Sequence, residues 1–139
     1  MPVITIQTTV QKSMPLVWEA WTQPDHICNW NFASDDWCCP GATNNLLPGG
    51  TFNYRMEATD GSAGFDFEGT YVEVEPHKLI RYTIGDGRLV DIRFEDGPGG
   101  ITVTESFETE DVNSAELQRQ GWQAILDNFK KVCGNIAMK

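Results

Sequence analysis

The sequence predicts an α+β fold: a curved antiparallel sheet of about six to seven strands wrapped around a long C-terminal helix, with two short helices after the first strand. Three observations predict it. Period-two runs of β-branched and aromatic residues recur between Gly-rich turns through the middle of the chain. Helical spacing appears only near the two ends. The length of 139 residues, with 40% hydrophobic residues and 7 Phe, 5 Trp and 3 Tyr, suits one domain over 1–139 with a core of its own.

The first strand is Val3-Ile4-Thr5-Ile6-Gln7-Thr8-Thr9-Val10, β-branched, with Ile4, Ile6 and Val10 on one face. Ser13 can then cap a helix with Pro15 in its first turn, and Val17, Ala20 and Trp21 fall at i, i+3 and i+4. Pro24 ends that helix and opens a second short one, where Ile27 and Trp30 share a side. Residues 31–50 read as irregular, with turn signals at Pro40-Gly41, Asn44-Asn45 and Pro48-Gly49-Gly50.

The meander follows. Phe52, Tyr54 and Met56 alternate over residues 51–57, and Asp60-Gly61 turns into 65–74. There Phe65 and Phe67 hold one phase and Val72 and Val74 the other, which places a bulge at Gly69. Residues 78–84 lead through Gly85-Asp86-Gly87 into 88–94, where Val90, Ile92 and Phe94 are in phase, and Gly97-Pro98-Gly99-Gly100 turns into 101–108. Asn113, with Glu116 three residues on, can cap a long helix whose stripe is Gln118, Trp122, Ile125, Phe129 and Val132.

A twisted sheet accompanied by one amphipathic helix buries its apolar face by curling around that helix. Where bulky aromatics hold the two apart, a concave apolar cavity remains, the ordinary place for a small molecule. Residues expected to line it are Trp18, Trp30, Phe52, Tyr54, Met56, Phe67, Tyr82, Ile92, Phe94, Glu105, Gly121, Trp122 and Ile125. Trp21, Phe32, Trp37, Phe65 and Phe129 complete an aromatic set that serves equally as core. Gly121 costs about 1 kcal/mol against Ala within a helix, so its place suits a cavity wall or close contact with the sheet.

Glu105 is the candidate for chemistry. It shares strand parity with Val103 and Phe107, whereas Thr102, Thr104 and Ser106 take the other face. An inward carboxyl would be desolvated and its pKa raised, making it a ligand anchor or a general acid/base; a shifted register would turn it outward. Tyr54 and Tyr82 should point inward, with hydroxyls for a ligand or the backbone.

Charge excludes several functions. Asp+Glu 20 against Lys+Arg 10 gives a net charge of −10, which disfavours nucleic acid and anionic membrane surfaces as partners. Asp66, Glu68, Asp91 and Glu95 fall on outward parities. No apolar run approaches the ~20 residues that span a bilayer, and the N-terminus shows no export signal, so a cytoplasmic location is expected.

Cys28, Cys38, Cys39 and Cys133 are therefore expected as reduced thiols. His26, Cys28, Cys38 and Cys39 make a poor metal site, because adjacent cysteines send their side chains apart. His77, after Pro76, reads as a solvated turn residue. No metal and no cofactor are expected, and no nucleotide-binding or nucleophile-elbow pattern is present.

Five segments carry a resemblance: Pro15-Leu16-Val17-Trp18-Glu19-Ala20-Trp21, Asn29-Trp30, Leu47-Pro48-Gly49-Gly50-Thr51-Phe52, Phe67-Glu68-Gly69-Thr70-Tyr71-Val72-Glu73-Val74 and Gly121-Trp122. In this order they resemble the domain family related to the activator of the heat-shock-protein-90 ATPase. That family lies within the helix-grip (SRPBCC) superfamily of START domains, polyketide cyclases and the birch-pollen allergen. The resemblance implies a pocket for a small hydrophobic or aromatic molecule rather than an enzyme. It leaves two alternatives: a cyclase- or hydrolase-type enzyme using Glu105 with Tyr54 or Tyr82, and a chaperone-interacting or stress-response protein. The co-chaperone's additional N-terminal domain is not expected in this length, and a monomer or weak dimer is.

Overall fold

The computed structural model describes residues 2–136. Strand β1 (Val3–Val10) leads into helices α1 (Met14–Thr22) and α2 (Pro24–Ile27). Strands β2 (Trp37–Asn44), β3 (Thr51–Ala58), β4 (Gly64–Glu75), β5 (Leu79–Ile84), β6 (Leu89–Gly97) and β7 (Gly100–Glu108) follow, then helix α3 (Ala115–Gly134). All seven strands form one antiparallel sheet in the order β1-β7-β6-β5-β4-β3-β2, a meander whose last strand also takes up the first.

The inner face is made by alternation. Ile6 and Val10 of β1, Val90, Ile92 and Phe94 of β6, and Ile101, Val103 and Phe107 of β7 are all buried. Leu126, Phe129 and Cys133 of α3 pack into the same core with Val17, Ala20 and Trp21 of α1. Arg119 of α3 reaches the Thr5 carbonyl on β1, and Asn128 donates to the Trp30 carbonyl, so the helix is tied on both flanks. Outside, carboxylates pair across strands: Arg81 on β5 bridges Glu73 on β4 and Asp91 on β6 at 3.1 and 2.9 Å.

Five details differ from the sequence reading. Residues 37–44, read as irregular, form β2. It is an edge strand paired to β3 alone, and its register shifts between Cys38 and Gly41, so Pro40 sits where no ladder donor is required.

The bulge in β4 lies between Tyr71 and Glu73, not at Gly69. The alternation Phe65, Phe67, Gly69, Tyr71 therefore runs on, and Val72 is left 50% exposed. Gly69 serves a different purpose. It faces Phe52 across β3 and β4, and a Cβ there would stand 2.3 Å from the Thr83 carbonyl oxygen and 2.7 Å from the Phe52 ring. The missing side chain is what lets that ring lie over the strand.

Helix α3 is capped by Ser114 rather than Asn113: the Ser114 side chain accepts from the Leu117 N–H at 3.1 Å. Gln118, read as a stripe residue, is buried as a loop clamp. Its amide donates to the Asn113 carbonyl at 2.8 Å and its oxygen accepts from the Glu110 N–H at 2.9 Å. Finally, no part of the sheet presses on Gly121: a Cβ built there meets nothing within 4 Å.

Candidate functional site

Between the β3–β5 half of the sheet, α3 and the segment after α1 lies a cavity of about 220 Å³. The sheet contributes Tyr54 and Met56 from β3, Phe65, Phe67 and Tyr71 from β4, Ile80 and Tyr82 from β5, and Glu105 from β7. Trp122 and Ile125 project from α3, and Trp21, Thr22, Trp30, Asn31 and Leu46 complete the wall. Phe65 is 50% exposed and marks where the cavity meets solvent.

The rings brace one another. Trp122 stacks on Phe107 with centroids 4.1 Å apart and planes 10° from parallel, and meets Phe67 edge-on at 6.4 Å. Trp21 and Trp30 lie 4.8 Å apart over Phe129, and the Trp30 indole N–H donates to the Ala20 carbonyl at 2.9 Å. Such edge-to-face contacts, with tethered polar atoms, fix each ring where it stands. The cavity is therefore preformed.

Its polar groups divide into two kinds. Thr22 donates to the Trp18 carbonyl at 2.8 Å and Asn31 to the Met56 sulfur at 3.4 Å, so both are engaged within the protein. Tyr54 and Tyr71 form a polar cluster with Asn44; burial above all raises both phenol pKa values, that of Tyr54 well above the ordinary range.

Glu105 differs. It sits on β7 between Ile6 of β1 and Ile92 of β6, an acid in an apolar row, and is 6% exposed. Its side chain has no hydrogen-bond partner among the described residues, yet every fully enclosed side-chain nitrogen or oxygen among them has one. The free carboxyl oxygens consequently open on the cavity. Burial alone pushes this carboxyl from 4.5 up to about 8, and its charge in turn helps burial raise the Tyr82 phenol well above its usual range.

Of the residues expected to line the site, Trp30, Tyr54, Met56, Phe67, Tyr82, Glu105, Trp122 and Ile125 border the cavity. Trp18, Phe52, Ile92, Phe94 and Gly121 do not. Trp18 is turned against Phe94 and His77, with centroids 5.1 and 5.8 Å away. Phe52 fills the space over Gly69, and Ile92 and Phe94 are sealed in the core. Gly121 lies beside the helix stripe with open space around it.

Thr22, Asn31, Leu46, Tyr71 and Ile80 were not among the expected residues. A bulge expected at Gly69, three residues before the actual slip at Val72, masks Tyr71. Ile80 shared a legible phase with Tyr82 and Ile84, whereas the loop residues carry no periodic signal at all.

Cysteine chemistry stays outside the cavity. Cys39 is buried, its thiol pushed up to about 12 chiefly by burial, with the neighbouring Cys28 adding to the rise; burial likewise takes Cys133 to about 11. Among the described residues, no three His, Cys, Asp or Glu side chains converge to hold a metal ion. No described helix is long and apolar enough to cross a membrane.

Residues 12–134 match the family of activator of Hsp90 ATPase homolog 1-like (AHSA1-like) proteins. The chain belongs to this family. A solution structure of an AHSA1-like protein from Aeromonas hydrophila is similar at 44% identity, covering 94% of this chain and 91% of that one, with a TM-score of 0.90. A protein from Cytophaga hutchinsonii is 47% identical over 95% and 92% of the two chains, with a TM-score of 0.82. At 18% identity, a protein from Chromobacterium violaceum with a TM-score of 0.84 shares the fold alone. None of the curated proteins matches the chain. The AHSA1-like assignment agrees with the curled sheet gripping a C-terminal helix and places the chain in the helix-grip superfamily, whose folds commonly bind hydrophobic ligands.

Proposed function

We propose that this AHSA1-like domain binds a small hydrophobic or aromatic molecule in the cavity between the sheet and α3, without turning it over. The observation that carries the reading is the cavity wall: eight of its fifteen residues are aromatic, already braced in place before any ligand arrives. Size narrows the class. An apolar cavity of about 150 Å³ takes up benzene, so about 220 Å³ admits roughly ten non-hydrogen atoms, a single or fused ring system or a short chain rather than a long acyl chain. Against turnover stands the composition of the wall. No Ser, Cys or His borders the cavity among the described residues, and the Thr22 hydroxyl is committed to the Trp18 carbonyl, so Glu105 has no side-chain nucleophile to activate.

The test is an NMR titration of the full chain with naphthalene and indole. Shifts are expected at the Tyr82 ring, the Trp122 indole N–H and the Ile125 methyl groups, and Ile125→Phe, which places a ring in the space, should remove them while leaving the rest of the spectrum folded. Shifts confined to the outer face, or none at all, would overturn the reading.

A further inference from the structure

We infer that the ligand is a small organic cation, an amine or quaternary ammonium ion whose charged nitrogen sits against Glu105 and whose hydrocarbon part lies among the aromatic rings. This rests on the proposal that the cavity binds a small molecule, and it adds the charge of that molecule. Three features of the site converge on it.

The first is the carboxyl itself. Glu105 stands between Ile6 and Ile92, its oxygens open on the cavity and without a hydrogen bond from any described residue. A buried acid in that state has unused capacity for a donor or a positive charge, and hydrogen bonds to a charged partner are roughly twice as strong as neutral ones.

The second is the sign of everything around it. Among the described residues no Lys, Arg or His borders the cavity. Tyr82 from β5 feels the charge of the carboxyl, Tyr71 and Tyr54 border the same cavity from the sheet and Trp122 and Ile125 from α3, and the flanking strands place Ile6 and Ile92 opposite Glu105. The three phenols are the other titratable groups on the wall, and all are held neutral by raised pKa values. An anionic ligand such as a fatty acid would meet a carboxyl and no counter-charge.

The third is the wall. Ring faces are negative, and a cation within about 6 Å of a Trp or Tyr face is attracted to it, most strongly where water is excluded. Trp21, Trp30, Trp122, Tyr54, Tyr71 and Tyr82 border the same cavity as the one acid. The wall thus offers a cation both aromatic rings and a carboxyl, and offers an anion no counter-charge.

Proton balance makes the pairing inexpensive near neutral pH. The free carboxyl titrates at about 8, so binding a cation at pH 7 expels one proton to solvent at a cost of about one factor of ten in affinity. The nitrogen keeps its own protons or alkyl groups, and no bond is made or broken.

Three probes of similar size and shape separate the possibilities: benzyltrimethylammonium, a permanent cation; neopentylbenzene, its uncharged isostere; and benzylsulfonate, an anion. Each is titrated into the full chain by calorimetry, with NMR shifts at Trp122 as a second readout. At pH 8.5 the cation should bind at least about tenfold tighter than neopentylbenzene, and benzylsulfonate should not bind. Below pH 8 the cation's affinity should fall about tenfold per pH unit, with about one proton released per cation at pH 6.5, while neopentylbenzene shows no pH dependence. Glu105→Gln should erase the cation's advantage and keep the binding of neopentylbenzene, which also shows that the variant is folded. A wild-type protein that takes neopentylbenzene as well as the cation overturns the assignment of charge and leaves the cavity reading standing, as does a Glu105→Gln variant that keeps the preference. Failure of all three probes to bind overturns both.

Discussion

Replacing Glu105 with Gln is expected to stabilise the protein by an amount that grows with pH. Burial holds this carboxyl at about 8, against 4.5 for an unperturbed glutamate. Below pH 4.5 both the folded and the unfolded chain carry the proton, and the native state has its full stability. Between 4.5 and about 8 the unfolded chain has released a proton that the native state keeps, so native stability falls as pH rises, by about 1.4 kcal/mol per unit. The loss reaches about 3 kcal/mol at pH 7 and is complete near pH 8 at about 5 kcal/mol. Gln has nearly the same shape and no titration. Urea unfolding of both proteins from pH 5 to 9 isolates the effect, because every other titrating group cancels in the difference between them. That difference should climb at about 1.4 kcal/mol per pH unit and flatten near pH 8. A difference that stays constant across this range would mean that Glu105 is hydrated and ionised in the native state, and the inward placement would fall with it.

Gly69→Ala should destabilise by about 2 kcal/mol in the same assay, since the new Cβ would stand 2.3 Å from the Thr83 carbonyl oxygen and displace the Phe52 ring; a neutral substitution would show that β4 can yield there. Gly121→Ala should do the reverse and raise stability by about 1 kcal/mol, because the helix gains propensity and the methyl group meets nothing within 4 Å; a loss of stability would place an unseen neighbour at that face. Ser114→Ala should cost about 1 kcal/mol and Asn113→Ala less, since the first residue accepts the Leu117 N–H; equal costs would return the cap to Asn113.

Much of this architecture is legible in the order of residues, and the reasons are local. Alternation in β1, β3, β5, β6 and β7 obeys a strict period of two, so a single correct phase assigns every inward residue, and Glu105 is found by counting from Val103 and Phe107. The same logic fails where the period is interrupted by something other than a turn. In β4 a Gly is the visible irregularity and attracted the bulge, whereas the actual slip at Val72 leaves no compositional mark, because the residue that bulges is itself a good strand former. In β2 the Pro40-Gly41 pair reads as a turn because it is one in most contexts; only its place at a sheet edge makes it compatible with a strand. The cavity was harder still. Phe52, Ile92 and Phe94 have inward parity just as Tyr54 and Tyr82 do, and parity tells which face a residue takes, not whether α3 covers it there. That depends on where the helix crosses the sheet, which Asn128 and Arg119 fix through long-range contacts to Trp30 and Thr5.

The cavity and its carboxyl are best understood through what they cost the unliganded protein. The buried carboxyl takes about 3 kcal/mol from the native state at pH 7, a large part of the net stability of a small domain, and beside it side chains leave an apolar space of about 220 Å³ unpacked. The chain has simple remedies for both. A larger side chain at Ile80 or Ile125 would occupy the space, and a Leu at 105 would continue a row that already reads Ile101, Val103 and Phe107. Elsewhere the sequence does conform: Glu73 and Asp91 on the outer face are paired with Arg81, the cap of α3 is satisfied, and every sealed polar side chain among the described residues has a partner. Departures from an otherwise consistent design that fall on one spot point to use rather than to poor packing. A small cation would relieve both at once, filling the void and giving the carboxylate its missing partner. The stabilisation it confers should therefore be largest at the pH where Glu105 alone is most costly.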